Sequence, residues 1–370
     1  MRTKVISHSE LNEFLFKELS YGYHKDVLLY KFNNNSVYEE EILEILEEKF
    51  NTPDLNYNQI DRIVFKEGIS SREKLAAVKV ITDEDTGEVE RINLIFVKFV
   101  QYTTIENKID YGKKIKKEEV HRENSYFPVE INFKTKEMIV KSAPKARINK
   151  SEYKGVKISE NIAGNIINYF NLEVISYQFQ YQKALYNMCK TLLEDVIKEK
   201  CKYEISVFDD IIYNQTKEIE STFNSLDINV NELKKQIKAK NVFDINIQIS
   251  NMIENIVISK ILIEAMKNKD GLEGIISYIK FKDRTSVDTV LKTDKRKNTL
   301  LDTQVYLDLR KTIQQSKLAE RIRIVWFNNN EEIQLAYDTK KLMYIHIHFY
   351  EKLFEGDLRY AINRINDFNY

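Results

Sequence analysis

The stretch LEVISYQFQYQKALYNMCKTLLEDVIKEK, residues 172–200, lies within a run from Asn165 to Asp270 that contains neither glycine nor proline. Glycine costs roughly 1 kcal/mol and proline about 3 kcal/mol inside a helix, so their absence permits long helices. Apolar residues recur mostly every three or four positions, which predicts a helix with a wide apolar face. These positions are Leu172, Ile175, Phe179, Tyr186, Cys189, Leu193 and Val196.

Two further patterns extend the helical prediction along this run. Asn229 followed by Glu232 has the spacing of a capping box at the start of a helix. Residues 244–266 open with the alternating isoleucines of a strand, but the apolar pattern continues beyond strand length and favours a helix. We therefore expect residues 165–270 to be predominantly helical and to pack as an antiparallel bundle or a coiled-coil hairpin.

The residues before this run predict a mixture of helices and strands. Ser9 can cap a helix that continues through Phe16, and a second helix is expected from Val37 to Phe50. LAAVKVIT and VERINLIFVKFV flank a turn in which Gly87 can adopt a positive φ, and this arrangement is typical of a β-hairpin.

A second hairpin is predicted where PVEINF and EMIVKSA flank a short Lys-Thr-Lys turn. A linker is expected from about Arg147 to Ser159. Beyond the helical run, residues 299–313 predict an amphipathic helix, and RIRIVWF, EIQLAY and LMYIHIHFY predict three consecutive antiparallel strands. A final helix would carry Leu358, Ile362, Ile365 and Phe368 on its apolar side.

These elements predict an α+β fold in which two mixed modules with antiparallel sheets flank a long central helical segment. The predicted domains are an N-terminal module at residues 1–150, a long-helix segment at 151–275 and a C-terminal module at 276–370. The last module is expected to contain a helix, a three-stranded sheet and a helix.

The composition excludes several classes of protein. The chain has 57 basic and 57 acidic residues, so no global charge draws it to nucleic acid or to an anionic membrane. It lacks a P-loop, a GxGxxG after a strand, and the GxSxG, CxxC and HExxH motifs, which disfavours the corresponding enzyme and zinc families. No signal-peptide or membrane-spanning segment is apparent, so we predict a cytoplasmic protein without a membrane partner.

The charge is nevertheless uneven along the chain. Residues 1–107 carry a net charge of −7 and residues 108–157 a net charge of +7. Clustered basic side chains can neutralise phosphates, so two clusters are candidate nucleic-acid-binding residues. The first is Lys134, Lys136, Lys141, Lys145, Arg147, Lys150 and Lys154, and the second is Lys280, Lys282, Arg284, Lys295, Arg296 and Lys297.

Three other groups of side chains contain residue types that bind metal ions. His346 and His348 alternate along one strand and therefore share a face, with a carboxylate available from Glu331 or Glu332. The same alternation is typical of a half-solvated strand, and this interpretation is favoured.

The cluster Asp83, Glu84 and Asp85 lies at a hairpin tip and lacks the ligand series of a calcium loop. Asp110, Glu130 and Lys134 approximate the residues of a metal-dependent nuclease, but with the wrong spacing. The sequence therefore predicts no metal and no other cofactor.

We expect a cytosolic accessory protein, bacterial or from a mobile element, that is not an enzyme. It would bind a polyanion, with nucleic acid as the favoured ligand, and assemble with itself or with a protein partner. An antiviral, phage-defence setting fits this composition. The alternatives are a metal-dependent nuclease and a purely structural adaptor.

This interpretation predicts that Lys141, Lys145, Arg147 and Lys150 contact phosphates. Binding to duplex DNA should then weaken with salt at a slope of roughly −0.9 per neutralised phosphate. Reversing the four charges should flatten the salt dependence and leave thermal stability nearly unchanged, because exposed side chains contribute little to folding. Equal binding by the reversed variant would contradict the assignment.

Overall fold

The chain divides into two units in the computed structural model. One unit combines Met1–Ala184 with Ile333–Tyr370, and the other comprises Leu185–Glu332. The structure describes residues 7–33, 37–52, 54–64, 72–110, 113–145, 154–195, 206–229, 232, 244–268, 273–282, 288–300, 303, 305–306, 309, 312–313, 316–328 and 331–369.

Strands and helices alternate in groups along the chain. The strands are β1 (Asp26–Phe32), β2 (Lys74–Thr82), β3 (Val89–Asp110), β4 (Lys113–Asn132), β5 (Glu137–Ser142), β6 (Val174–Ile175), β7 (Gly274–Lys282), β8 (Asp288–Lys292), β9 (Arg321–Asn328), β10 (Glu331–Asp338) and β11 (Tyr344–Phe349). The helices are α1 (His8–Ser20), α2 (Glu39–Phe50), α3 (Ile60–Val64), α4 (Gly155–Tyr169), α5 (Gln178–Lys190), α6 (Asp209–Ser225), α7 (Ile245–Asn268) and α8 (Glu355–Asp367), and a π-helical turn spans Thr191–Asp195.

The first unit is built on an antiparallel sheet with strand order β2-β3-β4-β5-β1-β11-β10, and β6 also pairs with β1. β1 lies inside this sheet, where Leu28 pairs with Val140 on one side and with His346 on the other. Its residues are Val, Leu, Leu, Tyr and Phe apart from Asp26 and Lys31, as expected for a strand that is covered on both faces.

Helices cover this sheet and bury its apolar side chains. α2 and α4 contribute Ile42, Leu46 and Ile162 to a core with the β1 residues Leu28 and Tyr30. A smaller cluster joins α1 and α3 to β2 and β3. On α8, the buried residues follow helical spacing at Leu358, Ala361, Ile362 and Ile365.

The second unit contains a three-stranded antiparallel sheet with the order β9-β7-β8. Trp326 on β9 is fully buried and pairs with Gly274 on β7. α6 and α7 contact each other in the same unit. The pattern in residues 274–292 was not predicted as strands, because its polar residues obscure the alternation.

Most local predictions are confirmed. Both predicted hairpins form, and Gly87 has a φ of +70° in the first turn. α1 starts two residues earlier than expected, because Ser7 rather than Ser9 forms the capping box with Glu10. The amide of Glu232 bonds to the side chain of Asn229 at 3.2 Å, as the capping spacing predicted.

The linker and the continuous helix predicted next need correction. α4 already begins at Gly155, so residues 155–159 are helical rather than linker. The described part of residues 165–270 is mainly helical, but β6 separates α4 from α5 because Val174 and Ile175 pair with β1. Seven of the 15 residues of the helix predicted at residues 299–313 lie outside the described residues.

The mixed α+β class with a large antiparallel sheet is confirmed. The finer prediction, two mixed modules that flank a long central helical segment, is not shown. β1 from the N-terminal region pairs directly with β11 from the C-terminal region. Among the described residues, no helix is both long enough and apolar enough to cross a membrane.

The close approach at Gly274 gives a stability prediction. A Cβ at Gly274 would lie 2.8 Å from the carbonyl oxygen of Val325 and 3.1 Å from the Trp326 ring. We expect Gly274→Ala to lower the free energy of unfolding by roughly 2 kcal/mol, since the backbone oxygen cannot move aside freely. Denaturant unfolding followed by fluorescence of Trp326, the only tryptophan, measures this directly.

Gly164→Ala is the matched control. Gly164 lies inside α4, and a Cβ there would meet no atom within 4 Å. Alanine replaces glycine in a helix with a gain of up to about 1 kcal/mol, so this variant should not be destabilised. Equal unfolding midpoints for wild type and Gly274→Ala would contradict the steric argument.

Candidate functional site

The first predicted basic cluster begins at the turn between β4 and β5. Lys134 is exposed there, and its Nζ lies 3.0 Å from Oε1 of Glu90. The hydrogen bond and charge of Glu90 raise the pKa of Lys134. Lys136 is exposed and has a φ of +56°. Both ammonium groups are therefore accessible to a polyanion.

Lys141 is an exception to the expected exposure. It lies on β5 opposite Val27 and is only 2% exposed, with its Nζ 4.1 Å from the ring centre of Tyr21. Burial is the main reason why the pKa of Lys141 falls to about 8. Reversing its charge would bury a carboxylate, so the expectation that Lys141 can be reversed without loss of stability is wrong.

The rest of this cluster is distributed over the end of β5 and the start of α4. Lys145 is part-buried and pairs with Glu123. Lys154 is exposed immediately before α4. Arg147 and Lys150 lie outside the described residues.

The second cluster is partly neutralised by acidic neighbours. Lys280 lies 2.8 Å from Asp288 and 2.7 Å from Glu320, and these hydrogen bonds raise its pKa. Lys282 lies 3.4 Å from Glu320. Three members follow β8: Lys295 and Arg296 are exposed, and Lys297 pairs with Glu332. Arg284, which precedes β8, is outside the described residues.

A long ribbon formed by β3 and β4 was not predicted. Lys98–Asp110 pairs residue for residue with Lys113–Ser125, and no other described strand pairs with either segment. Thirteen residues of strand at about 3.3 Å each extend the ribbon by about 40 Å. Residues 107–117, at its end, contain five lysines and one acidic residue, Asp110. The lysine excess of residues 108–157 is therefore concentrated partly on this ribbon.

A polar cavity of about 560 Å³ adjoins Lys141 in the first unit. It is lined by residues of α1, β2, β3, β4 and β5, and by Glu355 at the start of α8. Glu130 lines it as well, and both of its carboxylate oxygens lie 2.6 Å from an Arg359 nitrogen. Glu130 is thus held in a buried ion pair rather than presented to a metal ion.

The candidate residues of a metal-dependent nuclease do not come together. Glu130 pairs with Asn93, whereas Asp110 pairs with Lys113 at the far end of the ribbon. Along each strand, these two pairs lie seventeen residues apart, which is about 55 Å at 3.3 Å per residue. Asp110, Glu130 and Lys134 therefore cannot bind one ion together.

The acidic hairpin tip also has a structural explanation. Asp83 accepts hydrogen bonds from the amides of Asp85 at 2.9 Å and Thr86 at 3.0 Å. These two bonds lower the pKa of Asp83. The Asp83 carboxylate therefore stabilises the turn between β2 and β3.

His346 and His348 point to the same carboxylate, but it belongs to Asp26. Oδ1 of Asp26 accepts from Nε2 of His346 at 2.9 Å and from Nδ1 of His348 at 2.7 Å. Burial alone would raise the pKa of Asp26, but the two histidines outweigh it and lower this pKa to about 2. The predicted shared face is confirmed. The predicted carboxylates, Glu331 and Glu332, lie outside the β10–β11 ladder.

The sequence could not have identified Asp26 as the third member. It lies 320 positions before His346 and has no characteristic spacing to either histidine. Only the pairing of β1 with β11, which places Asp26 opposite His348, brings the three together.

Comparison with known proteins gives no family for this arrangement. A scan against protein-family models and a search of the curated proteins found no match to the chain.

Proposed function

We propose that this protein binds a polyanion, nucleic acid in particular, through the β3–β4 ribbon. The observation that carries the proposal is the combination of an extended two-stranded ribbon with a lysine-rich end. The five lysines of residues 107–117 are Lys108, Lys113, Lys114, Lys116 and Lys117.

The dimensions of a two-stranded ribbon suit duplex DNA. The major groove, about 12 Å wide, admits an α-helix or a two-stranded β-ribbon. Lysines along such a ribbon would neutralise phosphates and release counterions, which favours binding with little sequence preference. The exposed Lys134, Lys136 and Lys154 are further candidates for phosphate contacts within the same unit.

The accessory, cytoplasmic and antiviral role that the sequence suggests is compatible with this assignment and remains a proposal. It favours binding over nuclease activity, because the candidate acidic residues for that activity are distant from one another or held in ion pairs. It also shifts the main contact from the buried Lys141 to the ribbon.

The ribbon proposal predicts a specific salt dependence. Replacing Lys113, Lys114, Lys116 and Lys117 by glutamine should make the slope of log affinity against log salt shallower by up to about 3.6, since each lost phosphate contact removes about 0.9. Fluorescence anisotropy with a short DNA duplex, between about 50 and 200 mM salt, measures this slope.

A control variant with the same charge change separates local contacts from net charge. Lys74, Lys183, Lys190 and Lys217 are exposed and lie outside the ribbon, so replacing them by glutamine should leave the slope close to that of wild type. Absence of wild-type binding at low salt, or equal slopes for the two variants, would overturn the proposal.

We also propose that the protein assembles with itself through α6 and α7. Met252 and Ile256 lie four positions apart on α7 and are 59% and 62% exposed. Residues four apart share a helix face, so the pair forms an apolar surface available to a second copy. Ile211 and Tyr213 on α6 are exposed large side chains as well.

Self-association predicts a mass above 43.9 kDa that falls when the α7 surface is charged. Met252→Glu combined with Ile256→Glu should give the monomer mass in light scattering, over roughly a hundredfold range of concentration. Leu342→Glu combined with Met343→Glu alters two exposed residues of a turn and should leave the wild-type mass unchanged. A wild-type mass that stays at 43.9 kDa throughout would rule out this proposal.

A further inference from the structure

The geometry points to a binding site for a divalent first-row transition-metal ion formed by Asp26, His346 and His348. The two histidines lie on β11 and Asp26 on the adjacent β1. One ligand atom from each residue lies within 4.8 Å of the other two. This site is independent of the proposed polyanion contacts.

The separations between the three residues suit ligands of one ion. Adjacent ligands of an octahedral ion lie about 3.0 Å apart when the bonds are about 2.1 Å long, and those of a tetrahedral ion about 3.4 Å apart. Asp26 Oδ1 lies 2.9 Å from His346 Nε2 and 2.7 Å from His348 Nδ1. Both separations from Asp26 are therefore close to those of an octahedral ion, and one nitrogen of each histidine lies within 4.8 Å of the other.

The backbone pairing of β1 with β11 fixes where the three residues lie relative to one another. Asp26 and His348 are directly paired in the ladder, and His346 follows at the period of two that puts alternate residues on one face. Such cross-strand neighbours have Cβ atoms about 5 Å apart, which brings their side-chain ends to a common point.

The site is partly open to solvent. The side chains of His346 and His348 are 26% and 28% exposed, and that of Asp26 is 10% exposed. Three protein ligands on one side of an ion leave positions for water or for a ligand. Ser142, paired with Asp26 on the opposite strand, has a buried hydroxyl without a hydrogen-bond partner among the described residues.

The donor set selects the class of ion. Imidazole nitrogen suits zinc, iron, cobalt, nickel and copper, whereas magnesium and calcium prefer sites made entirely of oxygen. Two imidazoles and one carboxylate should therefore bind Zn²⁺ or Co²⁺ and discriminate against Mg²⁺.

Metal titration of the full chain tests this inference. We expect one Zn²⁺ or Co²⁺ per chain by isothermal titration calorimetry, a rise in the midpoint of thermal unfolding with Zn²⁺, and no comparable effect of Mg²⁺. His346→Gln and Asp26→Asn should each weaken Zn²⁺ binding by roughly 100-fold or more, because loss even of a residue that only supports a ligand costs 10- to 100-fold.

His121→Gln is the matched control. His121 stacks on Tyr102 in the β3–β4 ribbon, away from β1 and β11 in the strand order, so its replacement should leave Zn²⁺ affinity unchanged. His346→Gln replaces a part-exposed side chain, so it keeps the test valid if Asp26→Asn does not fold. Absence of Zn²⁺ and Co²⁺ binding by wild type, or wild-type affinity in folded His346→Gln, would overturn the inference.

Discussion

The pairing of β1 with β5 and β11 is the constraint on which the first unit depends. A strand inside a sheet satisfies its backbone hydrogen bonds on both edges, so β1 joins the N-terminal and C-terminal regions through one ladder. Its apolar residues, such as Val27, Leu28 and Leu29, are almost fully buried. A one-residue slip would move each of them to the opposite face and separate Asp26 from His348.

Buried charge imposes a second constraint on the same sheet. Glu130 is 3% exposed, and its ion pair with Arg359 joins β4 to α8. Lys141 on the next strand is equally buried, and the charge of Glu130 is the largest influence that raises the pKa of Lys141 against the effect of burial. Removing one member of such a pair costs more than the pair contributes, because the remaining charge stays buried without compensation. A variant that is meant to stay folded should therefore replace both members of such a pair rather than one.

Local sequence patterns predicted the elements whose stability is local. The hairpin at Gly87 and the final helix α8 follow from turn chemistry and apolar period, and both are confirmed. Helix α5 was predicted, but its separation from α4 was not, since β6 forms only through pairing with β1. The period of two also placed His346 and His348 on one face. Asp26 required a pairing between the two ends of the chain, which no local pattern contains.

The ribbon was missed for a related reason, and that reason supports its proposed role. Strand prediction relies on alternating apolar residues that pack against a core, whereas the end of the ribbon is dominated by lysine. Its strands are defined by the backbone pairing of β3 with β4 rather than by a third strand. Two of these lysines lie opposite carboxylates in the ladder, since Lys113 pairs with Asp110 and Lys117 with Glu106, and such opposite-charge pairs favour the ribbon. In the proposed complex, a polyanion would contact the lysines that have no carboxylate opposite them, Lys108, Lys114 and Lys116, and would thereby stabilise the ribbon on binding.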